Sequence, residues 1–194
     1  MAKGSEIGRG VFKRANHSHS APLSYLKPIR MSIPINPPFS LVNNSSLKIF
    51  NSLYRWNSAR KEGLNSENII PFFYPLDSIQ NWNNIYGQKG FLQYQCVIPM
   101  NNAKRIIREI LERISISGQG SFLAVLKMFG DIKSPGMLSF PREGTTLALD
   151  FPNKGKKLYK LLDELDQLVV SSGGAIYPAK DARMTSETFL SSFP

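Results

Sequence analysis

The sequence predicts an α+β fold, specifically a ferredoxin-like βαββαβ antiparallel sheet with both helices on one face. Two observations support this prediction. Between residues 91 and 178, β-rich runs and runs with helical spacing follow in the order strand, helix, strand, strand, helix, strand. The chain has 194 residues and 42% hydrophobic content, enough for one domain with a sizeable core. An irregular N-terminal arm and a short helix are predicted before this domain.

Residues 1–45 are predicted to form an extended arm, and residues 46–194 to form the domain. Glycine and proline recur along the arm and exclude a long helix or a central strand. From Ser45 to Asn57, apolar residues at spacings near three and four predict a short amphipathic helix. The breakers in the arm are Gly4, Gly8, Gly10, Pro22, Pro28, Pro34, Pro37 and Pro38.

The strands of the domain are predicted from alternation and β-rich composition. The run from Phe91 to Ile98 alternates between two faces, as a half-buried strand does. Residues 121–129, 145–151 and 175–178 are the other predicted strands, and residues 131–144 form a long hairpin connection. The apolar face of the first strand carries Leu92, Tyr94, Cys96 and Ile98.

Two helices are predicted from apolar stripes. The first follows Pro99 and is capped by Asn101 or Asn102. The second spans residues 155–172, and Gly173 is placed to take the left-handed conformation that follows many helices. The stripes are Ile106, Ile107, Ile110, Leu111 and Ile114 on the first helix and Leu158, Leu161, Leu162, Leu165, Leu168 and Val169 on the second.

Composition and missing motifs exclude several function classes. A net charge of +10 predicts a surface that attracts anions. Cys96 is the single cysteine, so a disulfide within the chain and a Cys-based metal site are excluded. His17 and His19 lie on the arm without a nearby carboxylate or cysteine, so no metal site is predicted. The motifs of P-loop nucleotide-binding proteins, dinucleotide-binding folds, serine hydrolases and zinc proteases are absent.

The location predicted for this chain is cytoplasmic. No run approaches the roughly 20 apolar residues that a bilayer-spanning helix needs. The first fourteen residues are polar and basic, and no apolar segment of the kind found in a secretion signal follows them.

The sheet face without helices is predicted to display polar side chains. Gln93 and Gln95 share one side of their strand, and each amide needs hydrogen-bond partners, which either water or a ligand could supply. The strand at 121–129 can place Lys127 and Phe129 on one face. Lys127 then either reaches solvent at the strand end or points into a polar cavity.

A second polar cluster follows the last predicted strand. Tyr177 and Lys180, three residues apart, can donate hydrogen bonds or transfer protons, although loops after strands are also charged for solubility alone. Asp181 and Arg183 complete this cluster. The carboxylates of the second helix are predicted to form a solvated face, and they are Asp163, Glu164 and Asp166.

Several long segments, in the same order along the chain, resemble the substrate domain of FAD-linked oxidoreductases of the vanillyl-alcohol oxidase type. The arm segment GRGVFKRANH from Gly8 is similar to the stretch that leaves the flavin domain in that family. The other matching segments are FFYPLDSIQNWNNIYGQKGFLQYQCVIP from Phe72, SFLAVLKMFG from Ser121, LSFP from Leu138, LALDFP from Leu147 and GGAIYPAKDARMTSETFLSSFP from Gly173.

This resemblance implies that the parent protein oxidises a sugar or other alcohol hydroxyl by hydride transfer to FAD. It also implies a partner, an N-terminal FAD-binding domain outside this chain, which holds most of the cofactor. The chain is therefore expected to be a substrate-binding cap domain that is inactive alone. The implied substrates are sugars or polyols, including phosphorylated or lipid-linked ones, and a lipid-linked substrate would bring the protein to a membrane without a transmembrane segment.

The resemblance also assigns roles to residues. Tyr177 and Lys180, in the pattern Y-x-x-K-D, are expected to be catalytic and to contact the cofactor. Gln93, Gln95, Lys127 and Phe129 are expected to bind substrate. A fixed ammonium such as that of Lys180 stabilises negative charge on a reduced flavin ring.

Two alternatives stay open. An RNA-binding module of the RRM type shares the βαββαβ order, and KGFLQY at Lys89 partly resembles its RNP1 motif. Nucleic acid is nevertheless disfavoured as a partner, because RNP1 lies on the third strand of those modules and Gln93 and Gln95 replace its aromatic residues. The second alternative is a non-catalytic structural or regulatory domain that keeps the fold without the chemistry.

Overall fold

The computed structural model describes residue 4 and residues 7–11, 15–18, 31–60, 63, 66–74, 79–180 and 183–194. None of the helices in these ranges is both long and apolar enough to cross a bilayer. In chain order the elements are β1 (Met31–Ser32), α1 (Asn44–Ala59), α2 (Ile69–Phe73), β2 (Ile79–Gln80), a 3-10 helix (Trp82–Tyr86), β3 (Phe91–Ile98), α3 (Met100–Ser117), β4 (Ala124–Phe129), β5 (Gly144–Pro152), α4 (Lys156–Ser171), β6 (Ala175–Ile176) and α5 (Ser186–Ser192).

The main sheet contains four antiparallel strands in the order β4-β5-β3-β6. Along the chain these strands and the helices α3 and α4 alternate as β3-α3-β4-β5-α4-β6. This is the ferredoxin-like topology, so the predicted fold class is confirmed. All of β3 pairs with β5, from Phe91 opposite Pro152 to Ile98 opposite Thr145. A second, two-stranded parallel sheet joins β1 to β2 and was not predicted.

Helices α3 and α4 pack on one face of the main sheet and enclose the larger core. The predicted helical stripes supply most of the helix side chains in this core. Each fully buried leucine or isoleucine contributes roughly 1.5–3 kcal/mol by leaving water. Facing the helices from the sheet are Tyr94, Cys96, Ile98, Leu147, Leu149, Phe151 and Ile176.

Some predicted element ends differ from the observed ones. Helix α3 begins after Pro99 without a side-chain cap, and the amide of Asn102 instead donates to the carbonyl of Ser172 at 3.2 Å. Strand β4 begins at Ala124 because the Ser121 hydroxyl bonds locally, donating to the carbonyl of Leu123 and accepting from the backbone N–H of Asp150. Strand β6 ends at Ile176, and the chain then turns.

The predicted N-terminal helix is confirmed as α1. Asn43 caps it by accepting from the backbone N–H groups of Ser45 and Ser46. Leu47 is its buried side chain, and it packs with Val42 and Tyr86 beside the 3-10 helix. This places the apolar cluster around Tyr86 against one end of the main sheet.

The prediction of a solvated carboxylate face on α4 is wrong for Asp166. Asp163 and Glu164 are exposed, whereas Asp166 is buried. A guanidinium nitrogen of Arg183 lies 2.9 Å from a carboxylate oxygen of Asp166, and another lies 2.5 Å from Asp163. These two ion pairs hold the segment after β6 against α4.

Candidate functional site

All six side chains predicted for the site belong to one face of the sheet, the face opposite α3 and α4. Residues directly opposite one another on antiparallel strands share a face. Gln93 lies opposite Asp150, and Lys127 on β4 lies opposite Thr146 on β5. The register also gives this face Gln95, Phe129 and Tyr177, and Lys180 reaches it through its contact with Gln93. We call this surface the open face.

A hydrogen-bonded chain of three side chains crosses the open face. The Lys180 ammonium donates to the Gln93 carbonyl oxygen Oε1 at 3.0 Å. The Gln93 amide nitrogen Nε2 donates in turn to Oδ1 of Asp150 at 3.1 Å. The predicted site residues Gln93 and Lys180 are therefore brought together, 87 residues apart in sequence.

Gln95 and Tyr177 lie beside that chain. The backbone N–H of Tyr177 donates to the backbone carbonyl of Gln95 at 2.8 Å, which extends the pairing of β6 with β3 past Ile176. The amide of Gln95 donates to the hydroxyl of Thr146 at 3.1 Å. Both predicted glutamines are thus oriented by partners on β5.

Aromatic rings form a wall at the Tyr177 end of the open face. Phe140 stacks on Tyr177 with ring centroids 4.5 Å apart, and Phe129 meets Phe140 edge-on at 6.1 Å. Phe193, which follows α5, belongs to the same cluster, and the guanidinium of Arg142 lies 5.2 Å from its ring centre. The predicted residues Tyr177 and Phe129 are therefore linked through Phe140, which the sequence did not indicate.

A second aromatic cluster lies near the start of β3. Tyr86 stacks on Phe91 with centroids 4.5 Å apart, and Trp82 meets Phe91 at 5.6 Å. Phe91 and Gln93 share the open face, because they are two residues apart on one strand. The polar side chains of the open face therefore lie between two groups of aromatic rings.

Asp150 is the acidic residue of the open face, and sequence reasoning missed it. The residue is 3% exposed, and burial raises the pKa of its carboxyl group, which the bond from Gln93 and the charge of Lys180 partly lower. Among the described residues, its Oδ2 atom and the Tyr86 hydroxyl are buried without a hydrogen-bond partner. The signal for Asp150 was an acid between Leu149 and Phe151 in a strand with no other charged residue.

Lys127 lies apart from the contact between Lys180 and Gln93. It is exposed on β4, an edge strand two positions from β3, so about 10 Å separates its strand from the strand that carries Gln93 and Gln95. Arg183 points away from the open face toward α4. The polar cluster predicted after the last strand is therefore divided, because Lys180 contacts the open face and Arg183 does not. Asp181 and His19 lie outside the described residues.

A groove of about 500 Å³ lies on the other side of the sheet. Ala103, Ile107, Leu126 and Met128 are among the side chains that line it, and Leu126 and Met128 alternate with Lys127 on β4. None of the six predicted site residues lines this groove. The candidate site is therefore on the open face rather than in this groove. Its polar strip consists of Gln93, Gln95, Thr146, Asp150 and Lys180.

Comparison with known proteins yields two informative relatives. Over its whole length the chain is 37% identical, across an alignment of 204 positions, to the decaprenylphosphoryl-beta-D-ribose oxidase of Mycolicibacterium smegmatis, of which it spans 43%. It is also 34% identical over 106 residues to the "uncharacterized protein in mprA 5'region" of Streptomyces coelicolor, which covers 55% of this chain and 28% of that protein. No protein-family model matches. The chain spans less than half the length of both relatives, and the predicted resemblance to an oxidase is confirmed.

Proposed function

We propose that this chain, similar over its whole length to part of an oxidase, is the substrate-binding domain of a FAD-dependent oxidoreductase. The reaction proposed is oxidation of an alcohol hydroxyl on a sugar or polyol. The observation that carries the proposal is the placement of Tyr177, Lys180 and the two glutamines on one face of the sheet. Residues 1–45 would be the linker from a flavin-binding domain, and residues 46–194 the cap.

The open face has features that fit a flavin ring. Lys180 provides an exposed ammonium, and the half-buried ring of Tyr177, supported from below by the buried ring of Phe140, provides aromatic surface three residues before it. When bound, a flavin accepts a hydride from an alcohol carbon and becomes negatively charged. The Gln93 carbonyl holds the Lys180 ammonium in place, where it stabilises that charge. Most other contacts to the cofactor would come from the flavin-binding domain.

Tyr177 and Lys180 are proposed to orient the substrate hydroxyl. Oxidation of an alcohol removes a hydride from carbon and a proton from oxygen. Tyr177 and Lys180 can hydrogen-bond to that oxygen while its proton passes to solvent water. The amides of Gln93 and Gln95 are proposed to hydrogen-bond to neighbouring sugar hydroxyls. Burial of their strand restricts their rotation, which favours recognition of one sugar orientation.

The substrate is proposed to carry a phosphoryl group and to be lipid-linked. The oxidase of Mycolicibacterium smegmatis is named for a decaprenylphosphoryl sugar. In this chain, Lys127 offers an exposed ammonium on the open face, with the ring of Phe129 two residues further along the same strand. A cation next to an apolar surface suits an anion that carries a hydrocarbon chain.

The test joins this chain to the part of the Mycolicibacterium smegmatis oxidase that the match leaves uncovered. The joined protein should be yellow, and its flavin absorbance should fall when decaprenylphosphoryl-β-D-ribose is added. Lys180→Ala should lower kcat roughly 10²- to 10³-fold, the usual loss when a charge-stabilising group is removed. Lys127→Ala should mainly raise KM.

Lys133→Ala is the matched control, because Lys133 is an exposed lysine in the hairpin connection. It should leave both constants unchanged. Wild-type turnover in Lys180→Ala would remove Lys180 from the reaction, and failure of the joined protein to bind flavin would contradict the proposed domain.

A further inference from the structure

We propose that Asp150 is a positioning residue, whose carboxylate fixes the amide of Gln93 so that the amide carbonyl holds the ammonium of Lys180. The inference rests on the proposed function, because it explains how Lys180 is kept in place for that reaction. No role for Asp150 follows from the sequence motifs.

The contacts form a continuous path from a buried acid to an exposed cation. Asp150 is buried in β5 directly opposite Gln93 on β3. Its Oδ1 accepts from the Gln93 nitrogen at 3.1 Å, and the Gln93 oxygen accepts from Lys180 at 3.0 Å. Asp150 and Lys180 therefore contact opposite ends of the same amide.

The charge of the carboxylate selects one orientation of that amide. An ionised carboxyl group accepts hydrogen bonds and donates none, so it must face the amide nitrogen of Gln93. The carbonyl oxygen of Gln93 then points the other way, toward Lys180. If the amide turned over, its oxygen would face the carboxylate and its N–H groups would face the ammonium, so both contacts would become repulsive.

The backbone holds Asp150 itself in place. Its N–H donates to the Ser121 hydroxyl at 3.0 Å and to the carbonyl of Leu123 at 3.3 Å. Burial and the negative charge of Asp150 both raise the pKa of Tyr86, so the phenol stays neutral beside the carboxylate. A buried acid held this firmly has little freedom to release the amide.

The experiment measures the Lys180 ammonium directly by nitrogen-15 relaxation in this chain, without flavin or substrate. In the wild-type chain, the ammonium of Lys180 should be more ordered than that of Lys127, an exposed lysine of the same face. Asp150→Asn keeps the shape of the side chain but offers an amide that can pair with either end of Gln93. The order of the Lys180 ammonium should therefore fall to that of Lys127, and Asp150→Ala should do the same.

Asp131→Asn is the matched control, since Asp131 is exposed in the hairpin connection. It should leave the Lys180 signal unchanged. Gln93→Leu tests the path without altering Asp150, and it should also free the ammonium. The proposal would be overturned if the Lys180 ammonium were as ordered in Asp150→Asn as in the wild type. If the Asp150 variants do not fold, wild-type order of this ammonium in Gln93→Leu would overturn it instead.

In the joined flavoprotein, Asp150→Asn should lower kcat roughly 10- to 100-fold, as is typical when a residue that orients a functional group is lost. The two proposals fail separately. Absence of flavin binding or turnover in the joined wild-type protein removes the proposed reaction but not the NMR result. An unchanged NMR signal in Asp150→Asn removes the positioning role but not the reaction.

Discussion

Asp150 is a buried acid with an incomplete set of hydrogen bonds. Its Oδ1 accepts from Gln93, whereas its Oδ2 is buried without a partner among the described residues. Burial disfavours the charged carboxylate and raises its pKa, and Gln93 and Lys180 offset part of this effect. The fold therefore loses some stability by keeping this group ionised.

The raised pKa of Asp150 predicts that the stability of the fold depends on pH. The folded state binds the Asp150 proton more tightly than the unfolded chain, so its contribution to the free energy of unfolding should fall as pH rises from the ordinary pKa of 3.8 through the raised value. Urea unfolding of the wild type and Asp150→Asn at several pH values measures this change in the free energy of unfolding. The wild type should lose stability relative to the variant as pH rises. A difference that stays constant across this range would contradict the raised pKa.

The period of two along β3 predicted the side on which Gln93 and Gln95 lie. It did not predict their partners, because Asp150 is 57 residues from Gln93 in the chain and the contact depends on the register of β3 against β5. Phe140 was missed for a related reason. It lies in an irregular connection, where no periodic pattern indicates burial.

At the scale of elements, the extents of β3, α3 and α4 were close to those predicted. Each of these elements packs one apolar side against the core along most of its length. Its periodic pattern of apolar residues therefore continues until the element ends. The ends themselves were less predictable where a side chain bonds to backbone, as Ser121 does before β4. The short elements α2 and α5 have too few residues to show a period.

The attachment of the segment after β6 to α4 gives a prediction at this scale. Arg183→Met leaves the buried carboxylate of Asp166 without its ion pair, and we expect the free energy of unfolding to fall by about 2–4 kcal/mol. Chemical denaturation measures this loss. Arg108→Met is the control, because Arg108 pairs with Glu112 on the exposed side of α3, and it should cost less than about 1 kcal/mol. If the two variants lost equal free energy of unfolding, the ion pair of Arg183 would stabilise the fold no more than an exposed pair does.

At the scale of the whole molecule, the two faces of the sheet differ in composition and packing. The face toward α3 and α4 holds the larger apolar core, while the open face holds the polar strip between aromatic clusters. Substitutions in the helical stripes are therefore expected to change stability, and substitutions on the open face to change binding.

The net charge of +10 allows a test of the RNA-binding alternative. A basic protein attracts any polyanion at low salt, so the informative quantities are salt dependence and the effect of open-face substitutions. We expect association with single-stranded RNA in filter binding to vanish between about 50 and 200 mM salt and to be the same for Gln95→Ala. Salt-resistant binding that Gln95→Ala weakens would favour an RNA-binding module.

The hairpin connection between β4 and β5 is exposed from residue 131 to residue 138, whereas Phe140 is buried against Tyr177. The connection should therefore tolerate inserted sequence up to residue 138 but not beside Phe140. A peptide tag spliced into the exposed stretch would extend into solvent, which makes this tip a convenient place to label or immobilise the domain. The same tag inserted beside Phe140 would push a ring out of the aromatic wall and disturb the neighbouring site.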